Sequence, residues 1–506
     1  MRSSPGRAAL GLVAAAVAAT VLVPVGYLVM RASELGLDGA RTILLRPRTA
    51  ELAGNTVRLA AVVTVAAAAL GVGLARVVTS AVGRGRSVLI GLLAAPLAIP
   101  SYVAGFVWTR LFPGFEGFWA AALILVLACY PLVLLPAAAA FTGMGRGQED
   151  AARTLGLGPV AVFARVTLPR VWPACAGGSL LVALYAISDF GGPAVVRYEP
   201  FTVGIYNAYN GAYDRSTPAI YGCVLAVVAI ALAAAERGMR RDAPSAATAE
   251  RPTARSGAVG AWVVSAVVLL AGIAVPVAGL LREITESTRL GFTTVGGALA
   301  WAWPDLRATL MLSVTAAAVI ALAALPVAVY TARPPGPGAG PIEAVSYLGY
   351  ALPGVTVALA TVFVGIRLLP DWYLTTPLLI ACYAVLFLPV CLGPARQALD
   401  AIPPRVPDAA RTLGASDAAT FARVRLPLAA PGIAAGAALA CLSVAKELPA
   451  TLMLAPVGTS TLATHMWSLN NDVAYGRAAV LGLLLVLVAS VPTVALSMLL
   501  TREGQR

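Results

Sequence analysis

Polar chemistry is scarce in this chain, so its few clusters are conspicuous. Of 506 residues 12% are charged and 59% apolar. The stretch DAARTLG occurs at Asp150–Gly156 and again at Asp408–Gly414, each time followed at the same distance by FARV-x-LP. In both copies an Asp and an Arg three residues apart can meet on one helical face, and the glycine can end the helix with a positive φ. Asp189 and the pair Lys446–Glu447 lie among apolar residues, at positions 258 apart. Charges set so deep are costly unless they pair or face water, which makes them candidates to line or gate a path through a membrane; mutual pairing at a bundle edge, with a snorkelling lysine, competes with that reading.

Other chemistries lack their residues. Lys446 is the only lysine, and CLSVA precedes it, so no phosphate-binding Gly-x-x-x-x-Gly-Lys-[Ser/Thr] loop is present. His465 is the only histidine, and no carboxylate cluster accompanies it in the sequence, so no metal cage or resident cofactor is expected. Cys129, Cys175, Cys223, Cys382, Cys391 and Cys441 all lie in apolar runs without CxxC spacing and read as packing residues. A membrane-embedded enzyme would need a polar catalytic cluster within its spans, and none is legible. The stretch YNAYNGAYD at 206–214 suits an interfacial aromatic belt better than a partner contact.

The elements that position these residues are membrane spans. A soluble protein of this size carries about twice this fraction of charge. The net charge of +13 comes from arginines in short clusters between apolar runs, with no continuous basic face, which argues against nucleic acid. Twelve apolar stretches of bilayer length are expected at 8–30, 55–78, 87–108, 118–141, 172–190, 219–235, 259–281, 308–330, 342–366, 374–392, 431–455 and 474–500. The first is long for a cleaved signal peptide and is read as a retained span. Placing both termini in the cytoplasm puts most of the 36 Lys and Arg residues on that side, and both DAARTLG copies with them.

The spans form a tandem repeat. LVPVGYL at 22–28 matches AVPVAGL at 274–280, and ACYPLVLLP at 128–136 matches ACYAVLFLP at 381–389. From Asp150 to Pro169, 14 of 20 positions are identical to the second copy. The reading is a six-span unit at 1–235, a polar cytoplasmic linker at 236–257 and a second six-span unit at 258–506. An even number of spans inserts both units in the same orientation, related by a pseudo-two-fold axis along the membrane normal. The repeated loops, 142–171 and 393–430, exceed what a connector needs. Each reads as helix, glycine turn and a second helix, with Val160, Phe163 and Val166 on one face in the first copy, until Pro169 breaks the chain before the next span. Two copies suit docking to a two-fold symmetric partner.

This pattern resembles the "EAA" loop of ATP-binding-cassette importer permeases: Glu-Ala-Ala, three residues, Gly, nine residues, Ile-x-Leu-Pro. Here it is Asp150-Ala151-Ala152, Gly156, Val166, Leu168 and Pro169, and again Asp408-Ala409-Ala410, Gly414, Val424, Leu426 and Pro427, with Asp for Glu and Val for Ile in both copies. SDFGGPAVV at 188–196, KELPATLML at 446–454, TLATHMW at 461–467 and AYGRAAVLGLLL at 474–485 are similar to segments of the fused permeases of ferric-iron importers. The resemblance covers nearly the whole chain. It implies an all-α polytopic protein of the type I importer fold, multi-pass in a bacterial inner membrane and not itself an enzyme. It implies as partners the lipid bilayer, two separate ATPase subunits that grip the loops, and an extracytoplasmic substrate-binding protein. Thiamine, phosphonate and polyamine importers have related permeases and are alternative identities. An ion-driven secondary transporter could also have twelve spans, but has no symmetric motor to dock.

Overall fold

A computed structural model describes residues 5–81, 85–144, 147–211, 216–241, 258–287, 294–333 and 335–503. Every regular element among them is a helix. Nine helices among the described residues are long and apolar enough to cross a membrane, or ten if a bent pair counts as one span. The twelve expected stretches are therefore not twelve plain rods. The third, 87–108, is two helices, Val88–Ala98 and Ser101–Leu111, meeting at 84°. The ninth, 342–366, is broken as well, and its apolar helix starts only at Gly354. Both breaks fall at a proline, Pro100 and Pro353, held extended at ψ 141° and 138°. A proline ring disfavours a helical residue before it but starts a new helix well. The twelfth has its apolar part in Tyr475–Ser490.

Of the expected linker, 236–241 continues the helix Ser216–Arg241, and 242–257 lies outside the described residues. The tyrosine-rich stretch begins as helix, within Phe201–Gly211; 212–214 lie outside the described residues.

The helices gather into two compact units that do not follow chain order. One consists of Met1–Leu44, Ile205–Ala226 and Ser287–Leu496; the other of Leu45–Gly204, Val227–Glu286 and Ser497–Arg506. The first span of each sequence repeat thus packs among later spans of the other repeat. Within the former unit Tyr27 lies against Phe363 with ring centroids 5.9 Å apart, and Gly11 lets the Tyr330 ring approach so closely that a Cβ would sit 2.9 Å from it. Within the latter Arg110 Nε donates to Glu283 Oε1 at 3.0 Å, and a Cβ on Gly279 would collide with Val107 at 2.2 Å. Small residues where helices cross are the usual device of membrane bundles, since close backbone approach replaces a hydrophobic driving force that lipid cannot supply. Buried tyrosines recur at matching places: Tyr130 Oη donates to the Leu93 carbonyl at 2.7 Å, and Tyr383 Oη lies 2.7 Å from Thr451 Oγ1.

Candidate docking loops and transport path

The two loops have the same local geometry. The first begins with the helix Gly147–Thr154, the second with Arg405–Thr412. Each ends in a Schellman turn. Gly156 N–H bonds to the Arg153 carbonyl at 3.0 Å and Leu157 N–H to Ala152 at 3.1 Å; Gly414 N–H bonds to Arg411 at 3.0 Å and Ala415 N–H to Ala410 at 3.1 Å. These bonds satisfy carbonyls the helix leaves open, and they need left-handed backbone at the glycine. Both glycines have φ of +86°. The second alanine of each motif, Ala152 and Ala410, supplies one of those carbonyls, while the first, Ala151 and Ala409, accepts from the Thr154 and Thr412 hydroxyls at 2.7 and 2.8 Å. Asp150 and Asp408 each receive the guanidinium three residues on, from Arg153 at 3.0 Å and Arg411 at 2.9 Å. The residue before each glycine is a leucine held away from the protein: Leu155 is 83% exposed and Leu413 88%.

After the glycine the structure departs from the expected break. Pro169 does not interrupt the chain. Helix runs unbroken through Pro159–Ser188, and likewise through Asp417–Ala445, so Leu168-Pro169 and Leu426-Pro427 lie inside continuous helices. The reason is a π turn in each, at Phe163–Thr167 and Phe421–Arg425. Leu168 N–H donates to Phe163 and Leu426 N–H to Phe421, five residues back. An α-helical proline would press its ring on the carbonyl four residues earlier; the wider turn removes that clash. The extra residue also changes the buried face. Val162 and Thr167 are buried, not Val160, which is exposed; Phe163 and Val166 are partly covered.

One buried carboxylate distinguishes the first loop. Glu149, beside the motif, is 7% exposed. Its Oε1 accepts from Thr167 Oγ1 at 2.7 Å, and its Oε2 from Arg76 Nη2 at 3.2 Å, with Arg153 Nη2 at 3.5 Å. Arg76 belongs to the long helix Pro47–Ala81, and its guanidinium also lies 5.8 Å from the Phe141 ring centroid. Burial opposes ionisation of Glu149, but the Thr167 hydroxyl and the Arg76 and Arg153 charges outweigh it and hold the carboxyl below its ordinary range.

The candidate path residues also recur. Asp189 follows the helix Leu168–Ser188, and Lys446–Glu447 follow Leu426–Ala445. Asp189 Oδ2 accepts from Gly192 N–H at 3.0 Å and Glu447 Oε1 from Ala450 N–H at 3.0 Å, so each acid caps the short helix after it. Ser101 Oγ donates to Asp189 at 2.8 Å. At the matching place after Pro353 stands Gly354, where a Cβ would lie 3.1 Å from Glu447 Oε1. The longer acid thus occupies room that a serine takes in the first repeat. Asp189, Lys446 and Glu447 are all partly exposed.

Residues 67–235 and 324–502 match the protein family described as binding-protein-dependent transport system inner membrane component. The chain belongs to that family. These matches include both loops of this permease and Asp189, Lys446 and Glu447. It is 30% identical over 477 residues to the Fe(3+)-transport system permease protein FbpB 2 of Haemophilus influenzae, covering 93% of this chain and 94% of the relative. It is 30% identical over 226 residues to a probable molybdenum ABC transporter permease protein of Haloferax volcanii, covering 42% of this chain and 82% of the relative. Similarity to the sulfate transport system permease protein CysT of Escherichia coli is 26% over 186 residues, 34% of this chain and 67% of the relative.

Sequence reasoning missed two partners in this permease. Glu149 precedes the motif, and its being buried depends on Thr167 and Arg76, 18 and 73 residues away. His465 is not isolated: its Nδ1 lies 2.6 Å from Asp305 Oδ2, Ser460 Oγ bonds the other carboxylate oxygen, and its ring lies 5.5 Å from that of Trp301. Asp305 lies inside the helix Val295–Thr331, 160 residues from His465 in the sequence, and is 3% exposed.

Proposed function

We propose that this permease is the membrane subunit of an ATP-driven importer for ferric iron in a bacterial inner membrane, with both termini in the cytoplasm and its two repeats inserted in the same orientation. Two ATPase subunits grip the loops 142–171 and 393–430, one each, and an extracytoplasmic binding protein delivers the cargo. The observation that carries this reading is the pair of elbows with matching local features: a short helix, a left-handed glycine, an exposed leucine, and an unbroken helix leading back into the bundle. An isologous partner would meet the same surface twice. Similarity over nearly the full length to a permease named for Fe(3+) supports the cargo. Shorter relatives named for molybdenum and sulfate make an oxyanion the competing cargo. Asp189, Lys446 and Glu447 line the translocation path in this reading, supported by their matching positions and partial exposure.

The deciding experiment is copurification and uptake. Gly156→Ala and Gly414→Ala leave free space around the new methyl but force an L residue to φ +86°, at about 1–2 kcal/mol each. Each single change should lower ATPase capture and the double change should abolish it, with radiolabelled ferric iron uptake falling in parallel. Undiminished capture by the double variant would reject the docking role; uptake of molybdate or sulfate in place of iron would reject the cargo.

A further inference from the structure

We infer that Glu149 is a positioning residue that fastens the first docking helix to the membrane body, and that the second docking helix lacks this fastening, so the two arms transmit force unequally. The inference rests on the docking reading above and goes beyond it by distinguishing the arms.

The observation is an asymmetry inside a near-identical repeat. In the first loop one carboxylate joins three segments: its own helix, Thr167 at the root of the next span, and Arg76 in the long helix Pro47–Ala81. Both Glu149 and Ala152 are buried there. In the second loop the residue beside the motif is Pro407, which has no side-chain acceptor, and the position of Thr167 is filled by Arg425. The helix Arg405–Thr412 has no buried residue. Its Arg411 instead bonds to Asp408 and, at 2.9 Å, to Asp417, both within the loop; the residue matching Asp417 in the first loop is Pro159. The first docking helix is therefore tied to the bundle through a buried carboxylate, and the second helix carries no such buried group.

Removing a buried acceptor leaves Thr167 and Arg76 unsatisfied, whereas the ion pairs of Arg411 are largely solvated. A push on the first helix reaches both Pro47–Ala81 and the span after Thr167. A push on the second enters through the helix Asp417–Ala445.

The test has two arms. Amide hydrogen exchange on the purified full chain in nanodiscs should show residues 148–154 exchanging about tenfold more slowly than 406–412, and Glu149→Ala should remove that difference while Glu149→Gln, which keeps an acceptor oxygen, preserves part of it. Equal protection in the unchanged chain overturns the inference. In the importer assembled with its ATPase subunits, Glu149→Ala should lower cargo moved per ATP hydrolysed by about tenfold, and Glu149→Gln, which keeps an acceptor oxygen for Thr167, should lower it less. A ratio unaltered by Glu149→Ala, or lowered equally by Glu149→Gln, also overturns it. If no ATPase assembles, the docking reading falls, and the exchange arm still decides whether the first helix is fastened.

Discussion

Single positions separate what the repeat needs for folding from what each copy has added. The clearest case lies outside the loops. In one unit Phe201 N–H donates to Thr56 Oγ1 at 2.9 Å; in the other Leu462 N–H donates to Thr309 Oγ1 at 2.9 Å. Counting four residues before each threonine and three after each amide gives Leu52 against Gly204 in one repeat and Asp305 against His465 in the other. Gly204 brings its backbone close to the Leu52 side chain, so the same crossing can be built from apolar atoms alone. The acids at the ends of the fifth and eleventh spans behave differently, because both repeats keep one. Each accepts a backbone N–H, and an amide retains an oxygen for that bond. Asp189→Asn with Glu447→Gln therefore removes both charges while keeping an acceptor for the Gly192 and Ala450 amides. Iron uptake by the double variant should fall by about tenfold or more while ATPase capture stays intact. Uptake at the unaltered level would assign these acids to helix capping alone.

At the scale of elements, the π turn decides how the elbow meets its span. A proline inside a helix ordinarily kinks or ends it, and Leu-Pro in both loops reads as a break on that ground. The extra residue in Phe163–Thr167 instead lets the helix pass through Pro169. A continuous rod is a stiffer lever than a jointed one. Deleting the exposed Arg165, with Arg423 deleted in the second copy, should convert each π turn to α-helix and bring the proline ring back against the carbonyl four residues earlier, kinking the docking helix relative to its span. The chain should still insert and accumulate, while ATPase capture falls by about tenfold; capture at the original level would mean that docking does not need an unkinked lever.

At the scale of the molecule, sequence order and compactness diverge. Each unit borrows its partner repeat's first span, with Gly11 and Gly279 providing the close approaches. Neither sequence half holds all the helices of either unit. Expressed alone, residues 1–241 or 258–506 should be degraded, whereas co-expression of the two pieces should restore both chains and iron uptake. Stable accumulation of either half alone, measured by immunoblot of membranes, would show that the first spans are dispensable to packing.

By itself the sequence determined the apolar composition, the helical class, the duplication and the two glycine turns. These follow from local rules: bilayer length, residue spacing, and the backbone conformation that glycine tolerates. The positions of the acids near the ends of two spans were legible for the same reason. Only the tertiary structure decided the rest. The proline breaks that bend the third span and interrupt the ninth, the π turns that carry other prolines through a helix, the burial of Glu149 and the pairing of His465 with Asp305 all depend on atoms distant in sequence or on competing local geometries of similar energy. The exchange of first spans depends on them most, because a small residue such as Gly11 or Gly279 marks where another helix can approach without specifying which one does.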